Sequence, residues 1–169
     1  MRIQQVTPET LPQLQEIAVQ TFVESFADAN AAVNMNQNLR GSLSLEKFAA
    51  ELADSRSEFY LAWFDEQIAG YLKVNIGVTL PDRMAEPVLE IQRIYVLQKF
   101  QGKRVGQVLL DKALKIAGER NLPCVWLGVW ENNPKAIAFY QKNGFSDFGS
   151  QIFMLGDDAQ RDILMIREL

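Results

Sequence analysis

The spacing of apolar residues predicts that the chain begins with two helices. Apolar side chains recur at helical intervals over residues 11–22, directly after Pro8, a residue type favoured at the first helical position. A second helical pattern covers 45–52 and follows Ser44, a favourable helix cap. The polar, asparagine-rich stretch 30–40 between them indicates a loop or an irregular helix.

The pattern changes to that of short strands near residue 59. Segment 59–64 is rich in aromatic residues, and apolar and polar residues alternate over 71–76. The short polar stretch 65–67 between them favours a hairpin turn. A loop containing Pro81 and Pro87 follows.

The next strand, over residues 88–96, changes phase. Leu89 and Ile91 share one phase of the alternation, whereas Ile94 and Val96 share the opposite phase. Placing all four on the core face requires one extra residue near 92–93, which is a β-bulge. A strand buried on both faces is the alternative, because phase then carries no information.

The second half of the chain alternates between helices and strands. We predict a helix that follows the 101–106 segment and ends near 120, a strand at 125–129, a helix from Asn133 to Asn143, and a hairpin of strands 150–155 and 161–168. This order indicates a mixed sheet with helices on its faces. A length of 169 residues with 48% hydrophobic content favours a single domain over residues 1–169.

Composition excludes several kinds of site. The chain has no histidine, so Ser-His-Asp and Cys-His mechanisms and histidine-based metal sites are excluded, and we expect no metal. Cys124 is the one cysteine, so no intrachain disulfide forms, and its place in an alternating strand indicates a core thiol.

The charge balance bears on possible partners. Lys and Arg total 17 against 21 Asp and Glu, a formal net charge of −4, which disfavours nucleic acid and mildly favours a cationic partner. A modest net charge equally suits simple solubility. No apolar run has the length of a signal peptide or a membrane span, so we expect a cytoplasmic protein without membrane association.

Two segments are candidates for chemistry. Gly102 and Gly106 lie at a helix start, where unpaired N–H groups and nearby Lys103 and Arg104 suit a pyrophosphate, although ordinary turns also contain such glycines. The glycine spacing fits neither a Walker loop nor a Rossmann fingerprint. Tyr140, in the later helix, is either a core aromatic residue or a general acid.

Together, these segments resemble a known family. The run Gln101-Gly102-Lys103-Arg104-Val105-Gly106 resembles the Gln/Arg-x-x-Gly-x-Gly/Ala signature of the GNAT N-acetyltransferase superfamily, and 133–145 resembles its second conserved block. The segments 68–75, 89–95 and 126–131 resemble the PaiA-like spermidine/spermine acetyltransferases. The departure is Arg104, where glycine is usual; a positive φ there would cost about 1 kcal/mol or more.

The resemblance implies a fold and a cosubstrate. The fold is an α/β (α+β) GNAT fold: a mixed, mostly antiparallel, twisted sheet of about six to seven strands, about four helices, and splayed central strands. Acetyl-CoA is the implied cosubstrate, with pantetheine in the gap between the splayed strands. The implied acetyl-CoA-binding residues are Ile94, Tyr95, Val96, Gln101, Gly102, Lys103, Arg104, Val105, Gly106, Gln107, Asn133, Tyr140 and Lys142. A solvated surface lysine is an equal interpretation of Lys142.

The resemblance also implies the catalytic residues. Tyr140 would protonate the departing CoA thiolate. The acceptor amine must lose a proton first, since an alkyl ammonium has a pKa of about 10.4. Without histidine, carboxylates are the candidate bases; we favour Glu90, acting through water, over Glu131. For both, a solvated charge at a strand end is the alternative.

The acceptor is the least determined part of the hypothesis. A polyamine, spermidine or spermine, is favoured by the subgroup resemblance and by the acidic balance. Glu16, Glu24 and Asp28 could attract it, or could form an ordinary polar helix face. The alternatives are a protein N-terminus, a lysine or another small amine, and, from a different class, a CoA-sensing module without turnover. We also consider a homodimer.

Overall fold

The computed structural model describes residues 1–26, 41–78, 80, 87–155 and 158–169. These residues form one sheet with helices on both of its faces. The strands and helices are β1 (Arg2–Gln5), α1 (Leu11–Phe26), α2 (Leu45–Ala53), β2 (Ser57–Phe64), β3 (Gln67–Val78), β4 (Val88–Val96), α3 (Val105–Glu119), β5 (Cys124–Trp130), α4 (Pro134–Lys142), β6 (Ser146–Leu155) and β7 (Asp158–Glu168).

The sheet has seven strands in the order β1-β2-β3-β4-β5-β7-β6. Every neighbouring pair is antiparallel except β4 and β5, which are parallel. The mixed, mostly antiparallel sheet is therefore confirmed. The sequence pattern did not indicate β1, because Ile3 is its only apolar residue and it forms an edge strand on β2.

The helix starts follow the capping residues. Ser44 Oγ accepts from the Lys47 N–H at 3.2 Å at the start of α2, and Asn133 Oδ1 accepts from the Ala136 N–H at 3.1 Å at the start of α4. Gly144 follows the end of α4 with φ 83°, a left-handed conformation that glycine adopts without strain. Three predicted features lie outside the described residues: the polar segment 30–40, Pro81 of the loop, and residues 156–157 in the turn of the last hairpin.

Helices cover opposite faces of the sheet. Phe59 packs edge-on against Phe48 of α2, with ring centroids 5.9 Å apart, whereas the neighbouring Tyr60 lies under Lys112 of α3. Adjacent strand residues point to opposite faces, so α2 and α3 lie on opposite sides. We call these sides the α2 face and the α3 face. The core residues that α3 contributes are Val105, Leu109, Leu110, Ala113, Ile116 and Ala117.

The predicted bulge in β4 is confirmed. Lys73 of β3 pairs with Arg93 and Val74 pairs with Ile91, so Gln92 is an extra residue in β4. The four β4 residues that were expected to share the core face pair with alternate residues of β3. They therefore lie together on the α3 face, as expected. These pairs are Leu89 with Ile76, Ile91 with Val74, Ile94 with Leu72, and Val96 with Gly70.

A buried ion-pair network attaches α2 to the bulge. Glu51 of α2 lies 2.9 Å from Lys73 Nζ, and its two carboxylate oxygens accept from the Arg93 guanidinium at 3.1 and 3.3 Å. The Lys73 side chain is only 3% exposed. Burial lowers the pKa of Lys73, and the contact with Glu51 opposes that change. The single carboxylate of Glu51 therefore contacts two cations at once, one of them almost fully buried.

Two classes of feature are missing from the described residues. None of the helices there is long and apolar enough to cross a membrane. No cluster of three or more His, Cys, Asp or Glu side chains in the same residues is arranged to hold a metal ion.

Replacing Glu51 tests the network. Glu51→Gln removes the carboxylate that contacts both Lys73 and Arg93 and leaves these two cations beside each other, so we expect it to lower the free energy of unfolding by about 3 kcal/mol. Urea denaturation at neutral pH measures the change. Glu119→Gln is the matched control, because Glu119 forms an exposed pair with Lys115 at 3.6 Å and should cost about 0.5 kcal/mol or less. Equal losses in the two variants would contradict the role of Glu51.

Candidate functional site

A cleft opens where β4 and β5 separate. These strands pair at only three positions, from Leu89 with Val125 to Ile91 with Leu127. Beyond Ile91, β4 continues along β3 as far as Val96, and β5 continues along β7 to Trp130. The bulge at Gln92 directly follows the last β4–β5 pair. The resulting cleft of about 1260 Å³ extends from this gap to the starts of α3 and α4.

The open edge of β4 presents unpaired main-chain groups to this cleft. Leu97 N–H donates to the Ala69 carbonyl at 2.9 Å. Hydrogen-bonded pairs alternate along an antiparallel ladder, so the main chain of Tyr95 also points to β3. The main chains of Ile94 and Val96 consequently point into the gap, where β5 offers no partner. Gln101 Nε2 donates to the Val96 carbonyl at 3.2 Å. The main-chain N–H of Val96 is not used in this contact and stays open to a ligand.

Tyr95 meets the cleft through its side chain and not through its main chain. Its main chain pairs with Tyr71 of β3 and is not open to a ligand. Its side chain lines the cleft and stacks on the Tyr71 ring, with centroids 5.9 Å apart. Burial raises the pKa of the Tyr95 phenol, which therefore keeps its proton at neutral pH.

The start of α3 is a second set of unpaired donors. Arg104 adopts a left-handed conformation, with φ 65°, and no side chain caps the helix. Val108 N–H bonds back to the Arg104 carbonyl at 3.1 Å, so the N–H groups of Val105, Gly106 and Gln107 have no intrahelical acceptor. Together with the helix dipole, these groups favour an anion in the adjoining cleft.

A side-chain bridge holds α3 and α4 on either side of the cleft. Gln107 Nε2 donates to Asn143 Oδ1 and to Asp111 Oδ1, both at 2.8 Å. The side-chain N–H donors of Gln107 are therefore both used within the protein. Its main-chain N–H is the donor that stays open to a ligand. Asn143 also donates to the Phe139 carbonyl at 2.8 Å. No local pattern indicated that Asn143 bridges the two helices, because its partner Gln107 lies 36 residues away in the chain.

The two lysines predicted to contact the cosubstrate are placed differently. Lys142 is exposed and lines the cleft, as does the capping residue Asn133. Lys103 does not line it: its Nζ lies 5.4 Å from the ring centroids of both Phe64 and Phe100. Its N–H donates to the Phe100 carbonyl at 3.3 Å. The assignment of Lys103 to the ligand is therefore corrected, whereas Gln101, Gly102, Arg104 and Gly106 all line the cleft.

Tyr140 offers a hydroxyl group inside the cleft. Its ring packs against Phe139 and Phe145, with centroids 5.2 and 5.7 Å away, and its side chain is 6% exposed. Within the described part of the chain, no hydrogen bond involves this hydroxyl group. Burial, followed by the nearby Tyr95, raises the pKa of Tyr140. Tyr140 is therefore a protonated phenol that can donate to a ligand.

The two candidate bases lie outside the cleft wall. Glu90 pairs with Asn75 of β3 on the α2 face, and its carboxylate accepts from Asn75 Nδ2 at 2.7 Å. Glu131 follows β5 and forms an exposed pair with Arg161 at 3.5 Å. Neither residue lines the cleft, so the structure does not bring Glu90 together with Tyr140 in one wall.

Comparison with known proteins identifies this arrangement. The model of the Acetyltransferase (GNAT) family matches residues 11–145, which is most of the chain. The chain belongs to the GNAT acetyltransferase family. It is therefore an acetyl-CoA-dependent N-acetyltransferase, and the resemblance of its two conserved segments is confirmed.

Relatives of this acetyltransferase match along most or all of its length. It is 34% identical over 169 residues, 100% of the chain and 98% of the relative, to an uncharacterised N-acetyltransferase from the pepI 3′ region of Lactobacillus delbrueckii subsp. lactis. It is 26% identical over 149 residues to the spermidine N(1)-acetyltransferase of Thermoplasma acidophilum, covering 86% of the chain and 88% of that protein.

A solved structure confirms the fold. The PaiA N-acetyltransferase of Thermoplasma acidophilum in complex with coenzyme A matches with a TM-score of 0.80 and 23% identity, covering 99% of this chain and 98% of that one. The acetyltransferase offers an unpaired strand edge at Ile94 and Val96 and an uncapped helix start at Val105, both in the same cleft.

The left-handed residue at the start of α3 generates a prediction. Arg104→Gly should be more stable than Arg104→Ala by about 1 kcal/mol, because glycine adopts a positive φ without strain. Lys115, exposed inside α3, is the matched control, and there the order should reverse, with alanine more stable than glycine by about 1 kcal/mol. Urea denaturation of the four variants measures both differences. The same order at both positions would contradict the assigned conformation of Arg104.

Proposed function

We propose that this acetyltransferase transfers the acetyl group of acetyl-CoA to a primary amine of a polyamine, such as spermidine or spermine, by direct attack in a ternary complex. One observation carries the proposal: the unpaired edge of β4, the uncapped start of α3 and the Tyr140 hydroxyl group meet in one cleft. These groups suit, in turn, an extended amide chain, a pyrophosphate and a leaving thiolate.

The cosubstrate would be held largely by main-chain groups. Ile94 and Val96 would pair with the amides of pantetheine, since their own amides lack a strand partner. The N–H groups of Val105, Gly106 and Gln107 would bind the pyrophosphate, with the Arg104 guanidinium adding positive charge. The remaining contacts come from Gln101, Gly102, Asn133 and Lys142, which line the same cleft.

The chemistry requires two proton transfers and one polarised carbonyl. Acetyl-CoA supplies the activated acetyl thioester. Between them, the main-chain groups of Ile94 and Val96 that point into the gap would also polarise the thioester carbonyl and stabilise the charge that develops on its oxygen. Tyr140 would donate its proton to the departing sulfur, and its raised pKa keeps that proton in place at neutral pH.

Glu90 is the proposed base, acting through water. It lies on the α2 face, one residue before the last paired position of β4, so water in the gap can connect its carboxylate to an amine. Asn75, held in turn by the Ser57 hydroxyl group at 2.8 Å, fixes the orientation of the Glu90 carboxylate. A fixed carboxylate is favourable because the ammonium must lose its proton before attack.

A polyamine is supported by two observations. A relative that aligns with 86% of the chain is a spermidine N(1)-acetyltransferase, and the chain has a formal net charge of −4. Of the acidic residues considered from the sequence, Glu24 lines the cleft, and its carboxylate also accepts from the Gln98 N–H at 2.7 Å. Glu16 is exposed on α1, and Asp28 lies outside the described residues.

An acceptor screen tests the choice of amine. We expect spermidine and spermine to give a kcat/KM about tenfold or more above that of a peptide with a free N-terminus, because each offers several cationic groups to a chain with a formal net charge of −4. Release of CoA thiol, with acetyl-CoA alone as the blank, measures the rate. A preference for the peptide would contradict the polyamine assignment but leave acetyl transfer intact.

The two proton-transfer residues should affect turnover and not cosubstrate binding. Tyr140→Phe and Glu90→Gln should each lower kcat by about 10²-fold or more, while the Kd for CoA changes by about threefold or less. Tyr60→Phe is the matched control, because the Tyr60 phenol donates to Glu58 outside the cleft. Steady-state kinetics and calorimetry give the two quantities. A kcat near that of the wild type in either variant would remove that residue from the mechanism.

A further inference from the structure

A carboxylate that the mechanism does not use lies beside the gap. Asp162 of β7 pairs with Trp130, the last residue of β5, and Gly128 lies two residues before Trp130 on the same face. A Cβ atom built on Gly128 would come within 3.2 Å of Asp162 Oδ2 and within 3.2 Å of Gln151 Nε2. Gly128 lines the cleft, so its missing side chain leaves the Asp162 carboxylate at the edge of that cleft.

Asp162 is a partly buried carboxylate that meets no cationic side chain in the described part of the chain. Among the described residues, no lysine or arginine forms an ion pair with it, and its neighbour Arg161 pairs with Glu131. Gln151 of β6 hydrogen-bonds the carboxylate. Burial raises the pKa of Asp162, and the Gln151 hydrogen bond partly opposes that change. A cation placed against this carboxylate would therefore be bound more tightly than at a solvated surface.

The position of Asp162 also relates it to the reacting groups. Asp162 contributes to the raised pKa of the Tyr95 phenol, and Tyr95 contributes to that of Tyr140, so the three groups lie within electrostatic range of one another. Asp162 shares its face with Trp126, which pairs with Glu90 on the α2 face. The donors at the start of α3 lie on the opposite face. The two ligands therefore approach the gap from opposite sides.

We infer that Asp162, held by Gln151 above Gly128, binds the ammonium group of the acceptor and directs its nitrogen into the gap between β4 and β5. The inference rests on the proposed function in one respect, that the acceptor is a cationic amine. Asp162 is an acceptor-binding residue in this assignment, and proton removal stays with Glu90. Asp162 is far from the other cleft residues in sequence, and no local pattern marks it. The pairing of β7 with β5 brings it to the cleft.

Direct binding of the amine tests the inference. Spermidine is titrated by calorimetry into the CoA-saturated protein, and butylamine, with one ammonium group, is the second probe. Asp162→Asn preserves shape and removes charge, so it should weaken binding of both amines about tenfold or more, and raise their KM by a similar factor. The Kd for CoA should stay within about twofold of that of the wild type.

Two further variants separate charge from structure. Asp162→Glu retains the charge and should recover part of the lost affinity, which a purely structural role would not produce. Asp147→Asn is the matched control, because Asp147 is an exposed residue of the same β6–β7 hairpin, and it should bind amines like the wild type.

One result overturns the inference: amine affinity and KM in Asp162→Asn within about twofold of the wild type. The failure of the polyamine proposal looks different. In that case the wild-type protein itself discriminates against spermidine in the acceptor screen. The affinity of the Asp162 variants is then measured for the amine that the screen prefers. Weakened binding of the preferred amine would support the inference even then.

Discussion

Main-chain amides in a protein interior must find partners, and this fold leaves a few of them without any. After Ile91, β4 no longer pairs with β5, while its other edge stays bonded to β3. The Ile94 and Val96 amides are therefore held rigidly by a sheet that does not satisfy them. A ligand with its own amide groups can complete the ladder without any rearrangement of the protein. The bulge, the buried network of Glu51 and the attachment of α3 all support this one opening.

Charge is distributed so that the two sides of the opening suit different ligands. On the α3 face, an uncapped helix start and Arg104 favour an anion. On the α2 face, Glu90 and Asp162 are carboxylates near the gap, and Lys73 and Arg93 are both paired with Glu51. A negatively charged cosubstrate and a positively charged acceptor can thus approach from opposite sides, and neither has to pass the charge that attracts the other.

Much of the fold could be predicted from local patterns. Apolar spacing predicted most helices and strands, and Ser44 and Asn133 predicted helix starts. The change of phase near Gln92 predicted the bulge in β4. Strand β1 could not be predicted, because an edge strand with one buried side needs few apolar residues. The segments 101–106 and 133–145 indicated the family through their resemblance to its motifs.

The details that local patterns did not indicate were those that depend on tertiary contacts. Lys103 is next to the ligand-binding turn in sequence, yet its side chain lies over Phe64 and Phe100. The side chain of Gln107 is used by Asn143, on another helix. Asp162 reaches the gap only through the pairing of β7 with β5 and the bare Cα of Gly128. No local pattern encodes such pairings, so the sequence alone could not reveal them.

Amide hydrogen exchange followed by NMR, with and without CoA, is the most direct test of the opening in the sheet. The account predicts that CoA slows exchange at Ile94 and Val96 and at Val105, Gly106 and Gln107, while Tyr95, already bonded to β3, exchanges slowly in both states. Unchanged exchange at Val96 and at the start of α3, with new protection in another part of the chain, would contradict it.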